Sequence, residues 1–341
     1  MARDDKDLAE LRKKFVCVRV VQMKGVDVSL FQFNWNVMLY AVFMNADGTI
    51  YARYGSPDPK ALSTAAFRGT MERVLEAHAK EDRSAFKGKR GEPLPWATPE
   101  AMPVLAARFK DAGAPPKSCI HCHHVWVGLI QSTVADGKTM PAQFIWPYPK
   151  PESLGLSLDL ADPRRVTAVA DGSAAAKAGA KPEDAIERAG GQAILTMQDL
   201  EWVLHHAPDK GELAVDVRRG SESVSLRVEL AEGWRRSARR GVFGVVGFGM
   251  RLQALTADER AKAGIAEGRM ALRASNVGGR GPAAAAGFRN GDVIVSVEGR
   301  TDAWEDDQLV AFVRMNYAKG AKVKFEVRRS GETVEIVYEI K

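Results

Sequence analysis

An internal duplication in the C-terminal half of the chain constrains its fold most strongly. Residues 172–179 read Gly-Ser-Ala-Ala-Ala-Lys-Ala-Gly, and residues 281–294 read Gly-Pro-Ala-Ala-Ala-Ala-Gly-Phe-Arg-Asn-Gly-Asp-Val-Ile. A predicted helix follows each stretch, at about 197–205 and 306–316, and each helix precedes a predicted strand that ends in a pair of arginines. Two copies of one module are the economical explanation.

The length and composition of the chain indicate several globular domains. A chain of 341 residues exceeds one typical core, so we expect two or three domains. Hydrophobic residues make up 45% and charged residues 27%, which excludes wholesale disorder. Apolar runs such as Val37–Met44 are much shorter than the roughly 20 residues of a membrane-spanning helix, so no transmembrane segment is predicted. The N-terminus shows no apolar signal-peptide region, which leaves export open.

The net charge of +6 does not indicate nucleic-acid binding. The basic excess is concentrated at Arg235, Arg236, Arg239 and Arg240 and is not interleaved with aromatic residues along one face. We therefore predict a solvated linker here and no nucleic-acid partner. The chain also shows no Gly-x-Ser-x-Gly nucleophile motif, which disfavours a serine protease.

Residues 1–85 are predicted to form strands, a hairpin and a helix. Strands are expected over Phe15–Met23 and Val37–Asn45, with Asp47-Gly48 turning the second into Thr49–Tyr54. An amphipathic helix follows over Lys60–Lys80. This order suits the second half of a thioredoxin-like domain, whose first half, with its redox Cys-x-x-Cys, is not in this chain. Cys17 alternates within the first predicted strand and is expected to pack as a small hydrophobe.

Residues 86–151 are predicted to be a linker and a helical segment, with a helix over 99–112, that carry the motif Cys119-x-x-Cys122-His123. In c-type cytochromes two such thiols form thioethers with haem, and the adjoining histidine is the proximal iron ligand. We therefore predict haem c at Cys119 and Cys122, with His123 on the iron. Met140, which precedes a proline, is a candidate sixth ligand, or it fills a gap in the core. A dithiol couple, a zinc site that also uses one or two of His121, His123 and His124, or no cofactor at all are the alternatives.

The duplicated motif, Gly-Ser/Pro-Ala-Ala-x-Ala-Gly followed by Gly-Asp-Val-Ile, resembles the bacterial type of PDZ domain. We assign the two copies to residues 152–232 and 240–341. The first copy departs from the pattern, with Pro-Glu-Asp-Ala at 182–185 in place of Pro-Gly-Asp-Val. The resemblance implies that a glycine-containing loop before a strand presents backbone N–H groups to a peptide carboxylate. The loop residues predicted to do so are Leu154, Gly155 and Leu156 in the first copy and Gly249, Met250 and Arg251 in the second.

Nearly the whole chain resembles the bacterial thioredoxin-like/PDZ (seleno)protein family, on the stretches 15–20, 45–55, 118–123, 202–208 and 232–236. The implied fold class is α+β multidomain, a partial thioredoxin-like domain followed by two PDZ-like β-barrel or sandwich modules. The resemblance implies an extracytoplasmic, periplasmic protein linked to redox chemistry. The predicted function is an exported electron-transfer protein with haem c and with PDZ modules that dock a protein or peptide C-terminus. A PDZ scaffold without enzymatic activity, or a thiol-disulfide protein, is the alternative.

Overall fold

The computed structural model describes residues 6–35, 37, 39–56, 62–80, 83–86, 93–110, 119–236 and 248–341. The chain folds into two compact units. The first unit takes residues 1–128 and 146–237, and the second takes residues 129–145 and 238–341. An internal segment of 17 residues, 129–145, thus belongs to the second unit although the chain on both sides of it belongs to the first.

The N-terminal part of the first unit is a hairpin packed on a helix. A short helix, α1 (Lys6–Arg12), comes first, then strands β1 (Tyr40–Met44) and β2 (Ile50–Gly55), then helix α2 (Thr64–Ala79). The two strands pair antiparallel, and Gly48 in their turn has a φ of +86°. The Ser63 hydroxyl accepts the Ala66 N–H and caps α2. The predicted hairpin and helix are confirmed, with shorter bounds for β1 and α2 and a shift of one residue for β2.

The strand predicted over Phe15–Met23 is not formed. Val16 is 96% exposed and Val18 82%, and Cys17 is exposed as well. The prediction that Cys17 packs in a core is therefore wrong. Alternating valines have high strand propensity, but a strand also needs a neighbouring strand to pair with.

The middle of the chain is helical. Two 3₁₀ turns (Ser84–Phe86 and Pro99–Ala101) precede helices α3 (Pro103–Lys110), α4 (Cys122–Ala135) and α5 (Ala142–Ile145). The helix predicted over 99–112 is interrupted at Met102, whose ψ is 123°. A residue before proline avoids the helical region, and Pro103 then occupies the first turn of α3, where its missing N–H costs little.

The first PDZ-like copy has two small sheets and two helices. A 3₁₀ turn (Pro151–Leu154) leads into strands β3 (Leu156–Leu158) and β4 (Val166–Val169), which pair with each other. Helix α6 (Ala174–Lys177) precedes a four-stranded sheet. Its strands, in the spatial order β6-β5-β7-β8, are β5 (Ala185–Ala189), β6 (Gln192–Ala193), β7 (Gly211–Arg219) and β8 (Glu222–Leu230). Helix α7 (Met197–His206) lies between β6 and β7 in the chain.

The second copy has a similar order, with an additional helix after its first strand, and its strands form one five-stranded antiparallel sheet. Its strands, in the spatial order β13-β12-β11-β10-β9, are β9 (Arg251–Ala254), β10 (Leu272–Ser275), β11 (Val293–Val297), β12 (Lys322–Arg329) and β13 (Glu332–Glu339). The helices are α8 (Ala257–Lys262), α9 (Pro282–Ala286) and α10 (Asp306–Asn316). Helices α7 and α10 confirm the two helices predicted after the repeated motif. In the described part of the chain, β9 is an edge strand.

Both copies contain the same ion pair between a buried carboxylate and a partly exposed guanidinium. Arg219 donates to Asp184 through Nε at 2.7 Å and Nη2 at 2.8 Å, and Arg329 donates to Asp292 at 2.8 and 2.7 Å. In each copy Nη2 also donates to the carbonyl of the glycine that follows the alanine-rich helix, Gly179 or Gly287. Because the same atoms pair in both copies, this geometry supports the internal duplication of the module.

The structure also tests the predictions for the turn at 182–185 and for the arginine-rich segment. Glu183, where the repeat pattern has glycine, has a φ of +69°, close to the +92° of Gly291 in the second copy. The turn is therefore the same in both copies. The prediction of a solvated linker is wrong for Arg235, which is 2% exposed, pairs with Asp209 and donates to the carbonyls of Leu204 and His205 at 3.0 Å. Arg239 and Arg240 lie outside the described residues.

Candidate functional sites

The predicted carboxylate loops have the same backbone form in the two copies. Gly155 has a φ of +88° and Gly249 one of +80°. A Cβ at Gly155 would collide with Ser173, the N-cap of α6, and a Cβ at Gly249 would lie 2.8 Å from Pro282, the first residue of α9. Glycine is required because each loop turns tightly against the start of the next helix.

The loop side chains divide between core and surface. Leu154 and Leu156 are buried in the first copy, while Met250 is half-buried and Arg251 exposed in the second. The Gly155 N–H already donates to the Glu152 carbonyl at 3.0 Å. A ligand carboxylate in the first copy would therefore have to compete with this hydrogen bond.

In the first copy, α7 is the helix that would line a peptide-binding groove. The rest of the first unit encloses it. All its residues from Gln198 to His205 are buried. On one side the Thr196 hydroxyl donates to the Arg53 carbonyl at 2.6 Å, and the Arg53 guanidinium lies 4.5 Å from the centre of the Trp202 ring. On another side Tyr148 stacks on His205 with ring centres 4.1 Å apart and donates its N–H to His205 Nδ1.

The enclosure of α7 changes the protonation of its histidines. Burial, with smaller contributions from His206 and Arg235, lowers the pKa of His205 well below its usual value. Burial also lowers the pKa of His206. The sequence places both residues in the last turn of α7, where a positive charge would favour the helix dipole, but desolvation keeps them neutral. Neither side chain is therefore a cationic cap.

Helix α10, the matching helix of the second copy, is open on one side. Leu309 and Val313 face the core, whereas Gln308, Phe312 and Met315 are half-buried and Asn316 is exposed. Helix α5 packs against α10, and the Met140 N–H donates to the Arg314 carbonyl at 2.9 Å. The two copies thus share a fold and differ in how much of the helix the surrounding chain covers.

The Cys-x-x-Cys-His residues lie at the start of α4. Cys119 precedes the helix, Cys122 is its first residue, and both are free thiols that are half-buried. Burial raises the pKa of the Cys122 thiol. The His121 and His123 rings are exposed, and each lies 4.3 to 5.8 Å from its neighbours in the trio with His124.

These cysteines and histidines do not converge as a preformed metal site. Among the described residues, the ligand atoms that cluster tightly enough for a metal are those of Glu305, Asp306 and Asp307. Zinc at the cysteine-histidine segment would thus require its side chains to rearrange. Met140 is buried in the second unit, whereas Cys119, Cys122 and His123 belong to the first, so its role as an iron ligand stays a prediction.

Comparison with known proteins supports the class that this fold defines, a tandem of peptide-binding β modules. The PDZ domain family model matches residues 153–230 and 246–340, more than half of the chain. The chain therefore belongs to the PDZ domain family, whose members bind peptide or protein partners. A search of curated proteins found no match. No helix in the described residues is long and apolar enough to cross a membrane.

Solved structures of an HtrA-type protease, AlgW, are similar to parts of the chain. The complex with a tripeptide is 26% identical over 27% of this chain and 29% of that chain, with a TM-score of 0.24. The complex of a single-residue variant of that protease with a decapeptide is 20% identical over 37% and 40%, with a TM-score of 0.25. A further decapeptide complex is 18% identical over 46% and 54%, also at 0.25. The chain spans about a third to a half of the length of these neighbours.

Proposed function

We propose that this chain is a docking protein that binds the free C-terminus of a partner protein through its second PDZ copy. The observation that carries the proposal is the contrast between the two copies. The Gly249 loop leads into β9, which is an edge strand among the described residues and could pair with an added peptide strand, and the neighbouring helix α10 is open on one side. In the first copy α7 is buried along its length.

The enclosed first copy has a structural role in this proposal. It holds the N-terminal hairpin through Arg53, Thr196 and Asp199. The predicted peptide-binding residues Leu154, Gly155 and Leu156 thus serve the fold of the first copy, while Gly249, Met250 and Arg251 serve recognition.

Peptides that differ only at the terminal carboxylate test the proposal. Fluorescent peptides that end in a free apolar residue should bind the full chain, and the same peptides with an amidated terminus should bind more weakly. A third series with N-methylated alternate peptide bonds should lose binding, because it cannot add as a strand. Binding that ignores amidation, or no binding at millimolar peptide, would contradict the proposal.

A second function, electron transfer by an exported haem protein, rests on the spacing of Cys119, Cys122 and His123. Cys122 begins α4 and Cys119 lies three residues before it, so the two thiols and His123 lie within one turn of chain. Cys119 and Cys122 would hold the haem and His123 would ligate its iron, with Met140 as the proposed sixth ligand. The bound haem would supply one-electron transfer. The thioredoxin-like assignment of residues 1–85 and a periplasmic location belong to this proposal.

Haem attachment can be tested by expression in cells that mature c-type cytochromes. The full chain should give a haem-stained band on a denaturing gel. Variants Cys119→Ala and Cys122→Ala should abolish it, whereas the matched control Cys17→Ala should leave it unchanged. A colourless band with both motif thiols free to alkylate would overturn the haem proposal and favour the dithiol alternative.

A further inference from the structure

The second unit contains a pocket that lies outside the predicted peptide loops. Its volume is about 250 Å³. One wall comes from the C-terminal half of α4 and the segment between α4 and α5, with the apolar side chains of Ile130, Val134, Ala135 and Met140. The opposite wall comes from the end of α10, the loop after it and the end of the chain beyond β13. The pocket is therefore built jointly by a PDZ module and a helix that is not part of that module.

The polar groups of this pocket are almost all cationic. They are Arg314, Lys319, Lys341 and the neutral amide of Gln131. Arg314 is buried, bonds to the Tyr338 hydroxyl and lies 5.7 Å from the centre of the Phe248 ring, so its guanidinium is held in one place. The Lys341 ammonium donates to a carboxylate oxygen of Glu339 at 2.9 Å. No carboxylate is among the lining side chains.

Apolar walls beside a positive charge that is held in place favour a ligand with an apolar group and an anionic group. The walls gain free energy by covering apolar surface, and the cations favour an anion at the open rim. The volume corresponds to about eight water molecules at roughly 30 Å³ each, the size of a small organic acid.

We propose that this pocket binds a carboxylate carried on a short apolar group. The ligand is either a free short-chain acid or the last residue of a peptide, since the two present the same chemistry. The site is distinct from the Gly249 loop, so failure of peptide binding at that loop leaves this proposal standing.

Calorimetric titration of the full chain with small probes tests the proposal. Hexanoate and N-acetylleucine represent the free acid and the peptide terminus, and hexanol and hexylamine are neutral and cationic controls. At least one of the two acids should bind about tenfold more tightly than hexanol, and hexylamine should bind most weakly. The acid that binds better identifies the source of the ligand. Equal binding of acid and alcohol would overturn the proposal.

Variants of exposed lysines show whether binding occurs in this pocket. The double variant Lys319→Ala/Lys341→Ala should weaken acid binding about tenfold. Lys262→Ala, an exposed lysine on α8 of the same unit, should leave it unchanged. Val134→Glu places a carboxylate in the wall and should reverse the preference toward hexylamine. If Val134→Glu fails to fold, the lysine variants decide alone, and unchanged acid affinity in the double variant would contradict the assignment.

Discussion

The carboxylate of Asp199 on α7 accepts the backbone N–H of Arg53 on β2 at 3.2 Å, across 146 positions of sequence. The Arg53 guanidinium lies 3.9 Å from the same oxygen, and both side chains are at most 1% exposed. The second oxygen of Asp199 accepts the N–H groups of Leu195 and Thr196, so one carboxylate both caps α7 and binds the hairpin. A single carboxylate therefore contributes both to the cap of α7 and to its contact with the hairpin.

Removal of that carboxylate should destabilise the first unit strongly. Asp199→Ala removes the buried ion-pair partner of the Arg53 guanidinium and the acceptor of the Arg53, Leu195 and Thr196 N–H groups, so we expect a loss of about 3–5 kcal/mol in the free energy of unfolding. Glu212→Ala, which removes an exposed ion pair with Arg227, should cost at most about 1 kcal/mol. Urea denaturation measures both, and equal effects would contradict this account.

The left-handed turn at Glu183 offers a stabilising substitution. A residue with a side chain pays about 1–2 kcal/mol for a positive φ that glycine adopts freely, although glycine loses more chain entropy on folding. We expect Glu183→Gly to raise the free energy of unfolding by about 0.5–1 kcal/mol, even though the exposed contact with Arg165 is lost. The reverse change in the second copy, Gly291→Glu, should destabilise it. Thermal melts of both variants provide the test.

The stability of the first unit should fall as the medium becomes acidic. His205 has a folded pKa well below the unfolded value of 6.5, so it is neutral in the fold. Below about pH 6.5 the unfolded chain binds a proton that the folded chain does not, and stability drops by up to about 1.4 kcal/mol per pH unit. Above that pH the stability is fully present.

Matched histidine variants isolate this dependence. His205→Phe keeps a ring against Tyr148 but cannot titrate, so its free energy of unfolding should vary less between pH 7 and pH 5 than that of the parent chain. His123→Ala, which removes an exposed imidazole, is the matched control. A parent profile that is flat over this range would show that His205 titrates alike in both states.

Cys17 should react readily in the native protein. Its side chain is exposed, whereas Cys119 and Cys122 are half-buried, so native-state alkylation followed by mass spectrometry should label Cys17 first. Cys17→Ser should change the free energy of unfolding by less than about 0.5 kcal/mol. Labelling of Cys17 only after denaturation would restore the core interpretation.

Local signals in the sequence accounted for the duplicated module. The alanine-rich helices, the Gly-Asp turn and the helices near 197 and 306 depend on caps and turns within a few residues, and such signals are readable from one sequence. The Asp47-Gly48 hairpin belongs to the same class. Glu183 shows the limit, because its sequence departs from the turn pattern while its backbone does not.

Long-range packing accounts for what the sequence did not reveal. Arg235 lies in a run of arginines that is typical of a solvated segment, yet Asp209 and backbone carbonyls of α7 enclose it. The enclosure of α7 by Arg53 and Tyr148, and the pocket around Arg314, join residues far apart in the chain. The Cys-x-x-Cys-His motif was visible in the sequence. Its spacing alone does not specify whether it holds haem, holds zinc or acts as a dithiol couple.

The exposed valines before β1 have a consequence for the behaviour of the protein in solution. Val16, Val18, Val20 and Val21 present more than half of their surface to water along a short stretch that carries one charge, Arg19. A stretch with this composition is suited to pair with an open sheet edge on another molecule. Self-association should therefore rise with protein concentration, and a charge at Val18 should raise the concentration at which light scattering detects it.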